Sequence, residues 1–205
     1  MSPDDPHDVV HDTTTVAVLL AAGSGSRFDG PIHKLAARVG GRTVLDRSVQ
    51  SALDADIGPV VIVAGALDLT HLAPGAARVI RNPEWASGQS TSLQAGVAEA
   101  RRLGADAIVV GLADQPFVEP EAWRRVAASA SPIAVATYGT ERRNPVRLHR
   151  DVWPLLPNEG DEGARSLIRL NAELVEEVPC PGSPVDIDTV EDLRAWQNKS
   201  STNSP

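Results

Sequence analysis

Short apolar runs alternate with amphipathic stretches along most of this chain. Val16 to Leu20 (VAVLL), Val60 to Ala64 (VVIVA), Ala77 to Ile80 (ARVI), Ala107 to Ala113 (AIVVGLA) and Pro132 to Tyr138 (PIAVATY) are apolar on both faces. That pattern predicts strands covered from two sides. Between them, Val44, Leu45, Val49, Ala52 and Leu53 fall on one face of a helix over Val44 to Ala55, with Thr43 placed to cap it. Further helices are predicted from about Ser90 to Leu103 and from about Pro120 to Ala130. A strand is expected at Pro145 to His149, then helices at Gly163 to Leu170 and Val190 to Gln197. Strands and helices in this order predict a doubly wound α/β domain: a mostly parallel, Rossmann-like sheet with helices on both faces. The folded domain is expected over residues 15–197. The ends, 1–14 and 198–205, are polar or acidic and read as disordered tails.

Composition narrows the function. The formal net charge of −8, with 42% hydrophobic and 22% charged residues, describes a globular chain and argues against nucleic acid or an anionic membrane as the main partner. Any anionic ligand must be met by a local cluster of cations. The single cysteine, Cys180, cannot form an internal disulfide, and no apolar N-terminal segment precedes a cleavage-like site, so a cytoplasmic location is expected.

In open α/β sheets, ligands sit at the carboxyl ends of the strands, so the residues after each apolar run carry the functional argument. After the first run come Gly23, Ser24, Gly25, Ser26 and Arg27, then Lys34. Small residues and glycines let successive backbone N–H groups turn toward an anion, and the two cations add full charge. The spacing is not that of a Walker loop, and the third glycine of the dinucleotide fingerprint is absent. After AIVVGLA comes Asp114, which suits either a turn or one ligand of a magnesium ion. Asp186 and Asp188 precede the last predicted helix. Asp188 there can cap the helix with Glu191 completing a capping box, whereas Asp186 has no such local use. Ser90, Thr91 and Ser92 can likewise cap a helix, and Asp161 can cap the helix containing Arg165 and pair with it. The five histidines fall in no convincing site, with His33 a weak ligand candidate beside Lys34. The four tryptophans are scattered as packing residues would be.

Five blocks in order, LLAAGSGSRF, RNPEWASGQSTSL, LADQP, GDEGAR and DIDTVEDL, resemble the MobA-like nucleotidyltransferases, and within them the molybdenum cofactor cytidylyltransferases, to which the LAAG form of the first block is similar. The resemblance implies a nucleotide site running from Leu20, Ala21 and Ala22 through Gly23, Ser24, Gly25 and Ser26 to Arg27. Lys34, Gly88, Ser90, Ser92 and Asp114 complete it. It further implies that Arg27, Lys34 and Asp114 are catalytic, that Asp114 with Asp186 or Asp188 holds Mg²⁺, and that Arg143, Asn144, Asp161 and Arg165 meet the acceptor. The implied reaction moves CMP from CTP to the phosphate of molybdopterin with release of pyrophosphate, and the product is handed to a molybdoenzyme or its maturation factor. The chain departs from the family pattern at two places. Lys34 stands seven residues after Arg27 rather than about five, and the RGHPV segment reads Arg142-Arg143-Asn144-Pro145-Val146. The altered segment leaves open another phosphorylated acceptor, GTP as donor, or a nucleotide-binding regulatory module without catalysis.

Overall fold

The structure, a computed structural model, describes residues 14–202. Residues 1–13 and 203–205 lie outside the described residues, and with them nearly all of the expected N-terminal tail and the end of the C-terminal one. The chain runs β1 (Thr15–Ala21), β2 (Arg38–Val39), β3 (Arg42–Thr43), α1 (Val44–Ala55), β4 (Val60–Ala64), β5 (Arg78–Arg81), α2 (Gln89–Arg102) and β6 (Ala107–Leu112). It continues through α3 (Pro120–Ala127), β7 (Ile133–Tyr138), β8 (Glu141–His149), α4 (Arg165–Leu170), β9 (Val175–Pro179) and α5 (Val190–Thr202). The helix that closes the chain therefore extends past Gln197, where its apolar pattern fades.

A seven-stranded sheet in the order β5-β4-β1-β6-β8-β7-β9 forms the middle layer. β1, next to the central β6, pairs in parallel with β4 and with β6. β8 is antiparallel to both neighbours, because a tight turn at Gly139 (φ +64°) returns the chain directly from β7. The alternate residues of β1 show why its sequence lacks polar positions. Ala17 and Leu19 pack into a core with α1 and α3, while Val16 and Val18 pack into a second core with α2. Helix α1 begins as expected, with the Asp46 N–H donating to Thr43 Oγ1 at 3.0 Å.

The pattern of apolar residues did not reveal three short strands. β9 (VEEVP) is an edge strand whose two glutamates are exposed, so it lacks the all-apolar signature of the inner strands. β2 and β3 have two residues each, joined at Gly40 and Gly41, both at positive φ. β8 also begins earlier than Pro145, since its first residues, Glu141 to Asn144, belong to an exposed and polar hairpin end.

Candidate functional site

The chain after β1 turns away from the sheet at Ala22, whose carbonyl accepts the Ala66 N–H at 3.1 Å. Parallel register brings the end of β6 level with it, Leu20 opposite Leu112. A third segment arrives from far along the sequence: the Ile187 N–H donates to the Asp114 carbonyl at 2.9 Å, setting Asp186 and Asp188 beside the end of β6. These segments, with the start of α2 and the loop before α4, enclose a cavity of about 590 Å³. Leu20 through Arg27, Lys34, Gly88, Ser92, Asp114, Asp161, Arg165, Asp186 and Asp188 all line it.

Charge is concentrated on the β6 side. Lys34 Nζ lies 2.6 Å from Asp114 Oδ2 and 2.8 Å from Asp188 Oδ1, and its side chain is only 11% exposed. Arg27 Nη2 lies 3.0 Å from the other oxygen of Asp188, but the Arg27 side chain is 76% exposed. Burial works to lower the Lys34 pKa, yet the two carboxylates outweigh it and hold the ammonium above its ordinary value. Asp186 behaves in the opposite way. Burial, followed by the charge of Asp114, pushes its carboxyl above the usual carboxylate range, although Gln115 Nε2 donates to its Oδ1 at 2.8 Å. The inner oxygen of Asp114, Oδ1, is buried with no hydrogen-bond partner.

The other side is formed by the start of α2 and the loop before α4, and rests on a hydrogen-bonded turn. Asn82 Nδ2 donates to Thr91 Oγ1 at 2.9 Å and to Ser92 Oγ at 3.0 Å. The loop before α4 is fastened to this turn, with the Ser90 N–H bonded to the Gly160 carbonyl and the Gly163 N–H to Ser90 Oγ. Gly88 makes this approach possible: its φ is +111°, and an added Cβ would overlap the Gly160 carbonyl. Asp161 and Arg165 reach the cavity through this fastening.

Several local expectations change. Ser90 is fully buried and works as a strut beneath the cavity rather than on its surface, and α2 starts at Gly88 without a side-chain cap. Asp161 does not cap α4, whose N-cap is Ala164. Asp188 does not cap α5 with Glu191. Thr189 and Asp192 form that reciprocal box, with the Asp192 N–H donating to Thr189 Oγ1 at 3.1 Å and the Thr189 N–H to Asp192 Oδ2 at 2.8 Å. The Asp188 side chain is thereby left for Lys34 and Arg27. Arg143 and Asn144 do not reach the cavity. They sit near the outer end of β8, where Arg143 pairs with Glu141 at 2.9 Å and the Asn144 carbonyl accepts from the Tyr138 hydroxyl at 3.2 Å. Antiparallel pairing sets the amino end of β8 at the same edge of the sheet as the carboxyl end of β6, and Asn144 borders a small neighbouring pocket with Leu112 and Gln115 rather than the main cavity.

Trp85 was missed. It lines the cavity, whereas Trp123 and Trp153 are core residues and Trp196 stacks on Phe117 at 3.7 Å. The signal available was its place in RNPEWASGQ, directly before the turn that carries Gly88. Cys180 lies just after β9, half-buried and unpaired by any disulfide, with burial pushing its thiol pKa up. Among the described residues no helix is long and apolar enough to cross a membrane.

Comparison with known proteins identifies the family and the fold. The MobA-like NTP transferase domain matches residues 17–178. The chain is 30% identical to the purine catabolism protein PucB of Bacillus subtilis (strain 168) over 194 residues, 86% of this chain and 93% of PucB. A nucleotidyl transferase from Methanothermobacter thermautotroptrophicus superposes with a TM-score of 0.74 at 26% identity, covering 93% of this chain and 99% of that one. A manganese complex of Rv0371c from Mycobacterium tuberculosis H37Rv superposes with a TM-score of 0.73 at 26% identity, covering 91% and 99%.

Proposed function

The chain belongs to the MobA-like NTP transferase family and is a nucleotidyltransferase, and we propose that it transfers CMP from CTP to the phosphate of molybdopterin or its metal-bearing form, with Mg²⁺ as cofactor. The observation that carries this reading is the meeting, in one cavity, of a glycine-rich turn with Arg27 and Lys34 and with Asp114, Asp186 and Asp188, drawn from distant parts of the sequence.

The residues fit a divalent cation. Asp114 Oδ1 is a buried acceptor without a partner, and Asp186 is a carboxyl whose charged form burial and Asp114 disfavour. A cation shared by these two acids would satisfy the first and relieve the second. Among the described residues no three His, Cys, Asp or Glu side chains form a ready cage. This suits Mg²⁺, which takes one or two carboxylates and fills its remaining positions with water and substrate phosphate. The manganese complex of a relative supports the use of a divalent ion. When bound, the ion offsets the charge that builds on the α-phosphate and the departing pyrophosphate.

The chain's own residues supply the rest. Backbone N–H groups from Gly23 to Ser26 and the exposed Arg27 hold the β- and γ-phosphates, drawing Arg27 away from Asp188. Lys34, held by Asp114 and Asp188, presents positive charge at the α-phosphate. Gly88 and Ser92 face the nucleoside, with Ser90 supporting them from beneath. Asp161 and Arg165 bound the acceptor side, and Arg165 meets the acceptor phosphate. An acceptor phosphate oxygen attacks the α-phosphorus, a new P–O–P bond forms, the α–β bond breaks, and the electron pair leaves on pyrophosphate. A phosphate monoester with a second pKa of about 6 is mostly dianionic at neutral pH, so no protein base is needed.

The test is pyrophosphate release with each of the four NTPs, with and without molybdopterin, in Mg²⁺, Mn²⁺ or EDTA. Release with CTP that requires both molybdopterin and the divalent ion is the expected result. A preference for GTP overturns the donor assignment, and release with a sugar phosphate but not with molybdopterin overturns the acceptor. Silence with every NTP and acceptor overturns catalysis.

A further inference from the structure

His33 joins two parts of the site that the sequence holds apart. Its backbone is extended (φ −60°, ψ 142°), and its ring caps a short 3-10 turn at Lys34–Ala36, with Nδ1 accepting the Leu35 N–H at 3.2 Å. Accepting that bond requires an unprotonated Nδ1, so the ring proton sits on Nε2. Nε2 lies 3.3 Å from the Gly23 carbonyl oxygen, which it can reach as donor. Gly25 packs against the same ring at φ +64°, where an added Cβ would come within 3.1 Å of Nε2 and 3.4 Å of Lys34 Cγ. Burial, helped by the charge of Lys34 and opposed by the Gly23 carbonyl, lowers the imidazole pKa. The ring is therefore neutral at pH 7, the form in which both bonds exist together.

A glycine-rich loop is costly to hold in one shape, because glycine loses more backbone freedom on ordering than any other residue. Here the loop must also keep register with a lysine that follows across a stretch including the exposed Ile32. We propose that His33 is a positioning residue for nucleotidyl transfer, its imidazole clamping the Gly23–Gly25 loop to the turn that bears Lys34 so that loop amides and ammonium meet one triphosphate at a fixed spacing. The proposal rests on the assignment of the triphosphate to this loop. His33 touches no reacting atom, and its effect reaches the substrate only through the groups it holds.

The two ring bonds can be separated by substitution. His33→Asn keeps a strong helix-cap acceptor close to the backbone but is too short to reach the Gly23 carbonyl. His33→Gln extends an amide donor toward that carbonyl and gives up the close cap, and His33→Ala loses both. Affinity for CTP and for CMP would be measured by calorimetry without metal, beside the thermal midpoint and circular dichroism of each variant. Losing one hydrogen bond and the loop order that depends on it is expected to weaken CTP binding about tenfold in the Asn and Ala variants. CMP binding should stay unchanged, and the Gln variant should lie within about threefold of wild type for CTP. The Asn variant should keep the wild-type thermal midpoint, which separates the clamp from general loss of stability. CTP binding by His33→Asn equal to wild type overturns the clamp, as does a parallel loss of CTP and CMP affinity, or a Gln variant no better than Ala. A wild-type protein that binds CTP no more tightly than CMP overturns the triphosphate assignment and the clamp with it.

Discussion

Replacing Lys34 by methionine keeps the length of the side chain and removes its charge from between two carboxylates. The contacts at 2.6 and 2.8 Å each represent about 6 kcal/mol of gross Coulomb attraction at an effective dielectric near 20, most of it offset by the desolvation of the ions. Removing one partner of a buried pair commonly costs about 3–5 kcal/mol, because the remaining charge stays behind unpaired. Asp114 and Asp188 keep 20% and 22% of their side-chain surface in contact with solvent, so water takes over part of the ammonium's role. The expected loss of stability is therefore at the low end, roughly 2–3 kcal/mol. Catalysis should suffer more. Loss of one preorganised charge at the transition state lowers turnover by about 10²–10³. The assays are urea unfolding and pyrophosphate release at saturating NTP and acceptor. Turnover within about threefold of wild type, on a folded variant, would refute the view that Lys34 faces the reacting phosphate. A variant more stable than wild type would refute the pairing energetics.

Four further outcomes test the site and its supports. Asp114→Asn and Asp186→Asn should each lower turnover at least ~100-fold with unchanged circular dichroism, and the double variant should be no worse than the worse single, since the two acids act as a unit; multiplied losses would mean separate roles. Asp188→Asn should lower turnover about tenfold with little change in the urea midpoint, whereas Thr189→Ala should cost about 1 kcal/mol of stability and spare turnover; the reverse pattern would return the cap to Asp188. Gly88→Ala should lower stability by at least ~2 kcal/mol and weaken nucleotide binding, because its Cβ meets the Gly160 carbonyl at a left-handed φ; a variant as stable as wild type would show that the 160–163 loop does not dock there. Glu99, 10% exposed and held by Arg102 and Arg78, has its carboxyl pKa lowered chiefly by the Arg102 hydrogen bond. Its contribution is fully present above the unfolded glutamate value of about 4.3 and is lost as pH falls through the lower folded value. Glu99→Gln should therefore cost about 1 kcal/mol at neutral pH and progressively less as pH falls below the glutamate range; a pH-independent cost would assign the effect to packing.

The sequence by itself determined the inner sheet and the reach of the site. Strands apolar on both faces, such as β1 and β6, have one stable environment, between two layers of helices, and that environment fixes where their carboxyl ends and the loops after them must lie. Hence the Gly23–Arg27 turn and Asp114 can be read from the strand pattern as neighbours in one site, whereas Asp186 and Asp188, which follow no apolar run, are joined to it only by the resemblance to the MobA-like family. The tertiary structure decided what depends on which partner a polar group finds. Asp188 and Asp192 are both chemically able to serve the start of α5, and only the position of Lys34, brought from the other end of the chain, assigns Asp188 to the cavity. Ser90 could equally have faced the ligand, until the docking of Gly163 turned its hydroxyl to a backbone amide. Arg143 and Asn144 carry residue types suited to a phosphate, yet from the amino end of β8 neither lines the cavity. Local patterns encode burial and backbone preference, which are properties of neighbours in sequence. The pairing of a carboxylate with one cation rather than another is a property of neighbours in space.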